Sequence, residues 1–211
     1  MKNIKFFSFY VLLALSAIAF NSYGQSLASD EGVVINGVKW ATCNVDKPGT
    51  FADSPEKPGM FYEWNRGVGW TASDPMKNSD GGAVWNSDIP TGLSWEKAND
   101  PSPIGWRVPT YEELLKLSDT TKVAFEWINP KIGVTGMKFT DIATGNSIFL
   151  RAVGSRDDNI GILDGDDSYG EYWSSTQYDS DNACCLYFIG GSAACRFSFY
   201  YNGFSIRPVA E

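Results

Sequence analysis

From residue 111 to 117 the apolar side chains Tyr111, Leu114, Leu115 and Leu117 fall three and four positions apart, so a helix built there has one face to bury. The residues before it supply the start signal. Pro109 is pre-set for a first helical turn, the Thr110 hydroxyl can cap an open backbone N–H, and Glu112 and Glu113 lie at the positive end of the helix dipole. Elsewhere the pattern changes to short apolar runs bounded by turn residues, which predicts strands. Residues 33–35 and 38–41 flank Asn36-Gly37, a pair that tolerates the positive φ values of a two-residue hairpin turn. Residues 59–64 form a compact apolar segment, and 136–140 and 147–153 read as strands around the turn Thr144-Gly145-Asn146. Four more runs follow at 172–176, 183–189, 194–200 and 204–209, with turns at Gly190-Gly191 and Asn202-Gly203. One helix with strands at both ends of the chain predicts an α+β fold: antiparallel sheets, one or two helices and long loops, the terminal strands paired with each other.

Two segments break the pattern. Residues 65–99 are dense in Gly, Ser, Asp and Thr yet hold Trp70, Trp85 and Trp95, which a disordered linker seldom contains. This predicts a long ordered loop insertion whose tryptophans either stack on a ligand or pin the loop to the core. The second segment is acidic: Asp157, Asp158, Asp164, Asp166, Asp167 and Glu171 crowd into one stretch of hard oxygen ligands. Asp164, Asp166 and Asp167 are candidate calcium ligands, although Tyr169 stands where an EF-hand loop starting at Asp164 needs glycine; a solvated acidic loop is the alternative. Together with the turn at Tyr200, Tyr201 and Asn202, these segments make the expected binding face, in which Trp70, Trp85, Trp95, Tyr200 and Tyr201 offer stacking surface. Trp40, Trp106 and Trp173 are expected in the core with Phe149 and Ile206 near them, and Arg107 or Arg207 as a buried, paired arginine. Trp106 and Arg107 also admit a recognition pair, but a tryptophan before a helix more often fills core.

Charge and cysteine content narrow the function classes. Lys2 and Lys5 precede an apolar run over residues 6–20, and Ser22-Tyr23-Gly24 supplies small residues for cleavage, so residues 1–24 read as a secretory signal peptide. The rest, residues 25–211, fits a single domain. With 17 basic against 25 acidic residues the net charge is −8, and removing the leader makes it more negative, which disfavours nucleic acid and anionic membranes as partners. The chain has no histidine, which removes Cys-His and Ser-His nucleophile pairs and makes a zinc or copper site improbable; carboxylate pairs such as Asp157 with Asp166 remain. Cys43, Cys184, Cys185 and Cys195 would meet an oxidising compartment, and at most one of the adjacent Cys184 and Cys185 faces Cys195 across a hairpin.

Six blocks in order resemble a known family: residues 38–45 (VKWATCNV), 59–64 (GMFYEW), 99–101 leading into 105–110 (GWRVPT), 146–150 (NSIFL), 172–175 (YWSS) and 205–209 (SIRPV). They look like the Fibrobacter succinogenes major paralogous domain. The resemblance implies a secreted, periplasmic or cell-surface protein of Bacteroidota type with a C-type-lectin-like fold, similar to formylglycine-generating enzymes and to diversified receptors. Where family members often carry a cysteine this chain has Ser102, which leaves Cys43 as a free thiol, and the adjacent Cys184-Cys185 do not match the paired cysteines of the oxidases. The expectation is therefore a non-catalytic binding module for a glycan or protein ligand at the cell surface, with no cofactor unless calcium binds. The alternative is a structural subunit or tip component of a surface assembly.

Overall fold

The computed structural model describes residues 30–90, 92–129, 133–157 and 160–211; the leader expected over residues 1–24 and the acidic Asp158 lie outside them. In chain order the elements are β1 (Val33–Ile35), β2 (Val38–Trp40), β3 (Met60–Glu63), β4 (Gly69–Thr71), β5 (Trp106–Arg107), helix α1 (Tyr111–Leu117), β6 (Val123–Ile128), β7 (Gly136–Asp141), β8 (Ser147–Arg151), β9 (Ser155–Asp157), β10 (Ile162–Asp164), β11 (Gly170–Gln177), β12 (Asn182–Ile189), β13 (Ser192–Phe199), β14 (Gly203–Phe204) and β15 (Val209–Ala210). The strands form four antiparallel sheets, ordered β1-β2-β15-β5, β10-β9-β14-β3-β4, β11-β12-β13 and β6-β7-β8. With one short helix among the described residues, the class is α+β with sheet predominant, as the hydrophobic pattern predicts. No helix among those residues is long and apolar enough to cross a membrane.

Local signals act where expected. The Thr110 N–H donates to Glu113 Oε2 at 2.7 Å and the Glu113 N–H donates to Thr110 Oγ1 at 3.3 Å, a reciprocal cap that stabilises a two-turn helix by about 1 kcal/mol. Leu114 and Leu117 face the core, whereas Leu115 is exposed. Asn36 and Gly37 adopt positive φ (46° and 76°) at the tip of the β1–β2 hairpin. The chain ends close the first sheet, Val209 pairing with Trp40.

The segment 65–99 is less loop-like than its composition suggests: β4 folds back on β3, pairing Trp70 with Phe61, and Lys97–Asn99 forms a 3-10 turn. A strand that the sequence reading left unassigned, β6, pairs with β7 as a half-buried edge. Alternation along β3 divides the core: Phe61 joins a cluster with Trp40, Trp70, Leu114, Phe139 and Phe188, while Met60 and Tyr62 join Trp64, Trp173, Tyr200, Phe204 and Ile206 on the other side. Trp40, Trp173 and Ile206 are buried as expected, but Phe149 and Trp106 are only partly so.

Candidate functional site

The structure corrects the expected stacking surface. Trp70, Trp85, Trp95 and Tyr200 are buried, at 2 %, 8 %, 8 % and 1 % exposure, so their rings pack largely inward, and of the four only Trp95 also lines the cleft described below. Trp85 lies 4.9 Å from Trp70, donates its indole N–H to the Tyr201 carbonyl at 3.0 Å, and fits against Gly161 and Gly203, where an added Cβ would come within 2.5 and 2.6 Å of the indole. The three segments of the expected face therefore do converge, with their aromatic side chains turned inward. Trp95 packs edge-on to Trp64, and Tyr200 stacks on Trp64 at 4.5 Å. Of the five aromatic candidates only Tyr201 keeps partial exposure, stacked on Phe199 at 5.1 Å. Burial follows from size: each indole covers more apolar surface than the small and polar residues around it can shield from water.

The acidic residues fall into two groups, Asp166 and Asp167 beside Arg151, and Asp157, Asp164 and Glu171 around Ser155 and Tyr169. Arg151 Nη2 draws Asp166 (3.0 Å) and Asp167 (3.5 Å) to one side, while Asp164 accepts the Tyr169 hydroxyl at 2.9 Å. Among the described residues no three carboxylates or thiols are grouped so that they could hold a metal ion. Asp157 accepts the Ser155 hydroxyl at 2.7 Å. Glu171, beside it, is pushed up to about 8 by burial and then by the charge of Asp157, which makes it a proton-holding acid at neutral pH. The four cysteines are free. Cys184 and Cys195 lie on the same face of the β12–β13 pair, diagonally placed because Cys184 pairs with Phe197 and Cys195 with Leu186, and burial pushes all four thiols up, away from the reactive thiolate.

One concavity among the described residues lies beside β5. A cleft of about 450 Å³ is walled by Trp95, Asp100, Ser102, Ile104, Trp106 and Arg107, with Lys97, Ser175 and Glu211 at its margins. Its geometry is set from the chain outward. Both Asp100 carboxylate oxygens are used inside the protein, Oδ1 accepting the Ser102 N–H (2.8 Å) and Oδ2 the Val108 N–H (3.0 Å), so they tie the two ends of the 101–108 segment together. The segment turns where the Trp106 N–H donates to the Pro103 carbonyl, and Gly105 takes φ +83°, a value that favours glycine. Pairing of β5 with β15 then holds Trp106 opposite Ala210. The Trp106 indole rests edge-on against Phe51 at 5.7 Å and over Gly32, and stays half-buried with the rest facing the cleft.

Electrostatics in the cleft are already balanced. Arg107 makes a two-pronged pair with Glu113, Nη1 to Oε2 at 2.8 Å and Nη2 to Oε1 at 2.7 Å. Burial acts to raise the Glu113 carboxyl, but Arg107 and the Thr110 cap overcome it and hold Glu113 below its ordinary range. Lys97 pairs with Glu211 at 3.1 Å. Each cation thus has a carboxylate of its own, and the polar groups sit beside the apolar surfaces of Trp106 and the fully exposed Ile104. Such a cleft suits a neutral amphipathic ligand, since an anionic one has to break an existing ion pair. Sequence reasoning noted Trp106 and Arg107 but favoured structure for both, and it missed Lys97, Ser175 and Glu211, which only folding brings to them. Compared with protein-family models, with curated proteins and with solved structures, the chain finds no match in any of the three.

Proposed function

We propose that this chain is a non-catalytic binding module of a secreted or cell-surface protein, and that its ligand is a neutral glycan seated in the Trp106 cleft. The observation that carries the reading is the half-buried Trp106 indole, presented beside cations that are already paired. A tryptophan face stacks on the apolar face of a sugar ring, and the balanced charges favour hydroxyl groups over carboxylates or phosphates. The six-block resemblance supports the same reading, since it implies a C-type-lectin-like fold. The test is a screen of the purified protein against neutral and acidic oligosaccharides, followed by fluorescence titration of the wild type and of Trp106→Ala. Binding of a neutral saccharide that is lost in Trp106→Ala supports the proposal; binding unchanged by that substitution, or none above background, overturns it. A second reading, a subunit of a surface assembly, is favoured by the open edge of β13.

A further inference from the structure

We propose that the outer edge of β13 is a docking site for an extended segment of another polypeptide, which adds to the β11-β12-β13 sheet as a fourth strand and carries a carboxylate in register with Arg196. The site is separate from the Trp106 cleft and does not rest on it. β13 pairs with β12 through eight consecutive residues without a bulge, and among the described residues no strand pairs with its other side. The connecting turn at Gly190-Gly191 has φ 54° and 89°, a two-residue turn that closes on a hydrogen-bonded Ile189–Ser192 pair. Counting alternately from that pair, Ala193, Cys195, Phe197 and Phe199 turn their backbone N–H and C=O groups away from β12. Among the described residues only the Phe199 carbonyl is used locally, by the Asn202 N–H at 3.0 Å.

The side chains make the edge adhesive. Phe197 (56 % exposed) stacks on Tyr178 at 4.3 Å and 3°, and Phe199 (48 %) stacks on Tyr201 at 5.1 Å and 10°, which extends an apolar face past the end of α1. The usual protections of an edge are missing: Ser192–Phe199 contains no proline, lysine or acid. Its one charge, Arg196, is exposed on the opposite face, 3.6 Å over the Tyr187 ring and within electrostatic reach of Glu171, and among the described residues it makes no ion pair or hydrogen bond. That charge selects the partner. Two copies of this chain can pair along this edge in a register centred on Arg196, which sets Arg196 opposite Arg196 in a close, non-hydrogen-bonded position, or in one centred on Cys195, which sets it opposite Ala194; neither offers it a carboxylate, and each copy carries a net charge of −8. A different strand, with apolar residues opposite Cys195 and Phe197 and Asp or Glu opposite Arg196, meets both the backbone and the charge.

The test is to pan a displayed library of random nonapeptides against the full chain. The proposal expects selected peptides that alternate apolar and polar residues around an Asp or Glu, with affinity about fivefold weaker for Arg196→Glu or Phe197→Lys. Peptides carrying Lys in place of the acid should regain affinity for Arg196→Glu. On the wild-type protein, N-methylation of every second residue should abolish binding in one phase of the alternation and spare it in the other, a readout that needs no protein variant. Peptides without alternation, equal affinity across the variants, or binding that Trp106→Ala abolishes would each overturn the proposal. So would a homodimer in sedimentation that Phe197→Lys dissociates, because it assigns the edge to a second copy.

Discussion

The Trp70 indole N–H donates to Oε2 of Glu63 at 3.0 Å, while Glu63 Oε1 is buried with no hydrogen-bond partner among the described residues. Burial pushes this carboxyl from 4.5 up to about 7; the Trp70 hydrogen bond and Arg66 offset part of the rise, and Asp88 adds to it. Between pH 4.5 and 7 the folded chain holds a proton here that the unfolded chain has released. The stability this group contributes is therefore full below pH 4.5 and is lost as pH rises through 7, at about 1.4 kcal/mol per pH unit. Glu171 acts in the same direction up to about pH 8. Urea unfolding of Glu63→Gln at pH 5 and pH 7 should show a flatter dependence than the wild type, and identical slopes would refute the assignment.

Trp106 and Trp173 differ in burial, the second being wholly enclosed and donating its indole N–H to the Tyr62 carbonyl at 2.7 Å. Trp173→Ala should cost about 3 to 5 kcal/mol, and Trp106→Ala less than about half of that. Denaturant midpoints measure both. Equal losses would return Trp106 to the core and remove it as the wall of a ligand site.

Arg107 and Arg207 divide between them what was expected of one residue. Arg107 is paired with a carboxylate but partly exposed; Arg207 is 1 % exposed and is held by Asn44 Oδ1 at 2.8 Å and by the carbonyls of Ala41 and Thr42. Burial lowers the Arg207 pKa, and among the described residues its Nη2 has no hydrogen-bond partner. Arg207→Met should destabilise by roughly 2 kcal/mol, through stranded carbonyls, and leave saccharide affinity of the folded protein unchanged. A stable variant with lost affinity would place Arg207 in the binding site.

Gly161 takes φ +69° against the Trp85 indole, so Gly161→Ala is strained in backbone and in space. The substitution should loosen the hold of Trp85 and speed limited proteolysis within residues 65–99. Cleavage at the wild-type rate would show that this segment is held by its other anchors alone.

The amino-acid sequence by itself determined the features whose causes lie within a few residues. Thr110 and Glu113 start the helix three positions apart, Asn36-Gly37 and Gly190-Gly191 turn their hairpins by tolerating positive φ, and apolar runs bounded by turn residues predict β7, β8, β12 and β13. Tertiary structure alone decided which side of a residue faces water. Composition shows that Trp85 is apolar and lies in a polar segment, but its role depends on Tyr201, 116 positions away, and on two glycines that leave room for it. Likewise Arg151 draws in Asp166 and Asp167 across 15 positions or more, and Lys97 reaches the cleft through Glu211, 114 positions distant. The physical reason is range: backbone caps and turns act within one turn of chain, whereas burial and charge pairing depend on whichever surfaces the sheets bring together.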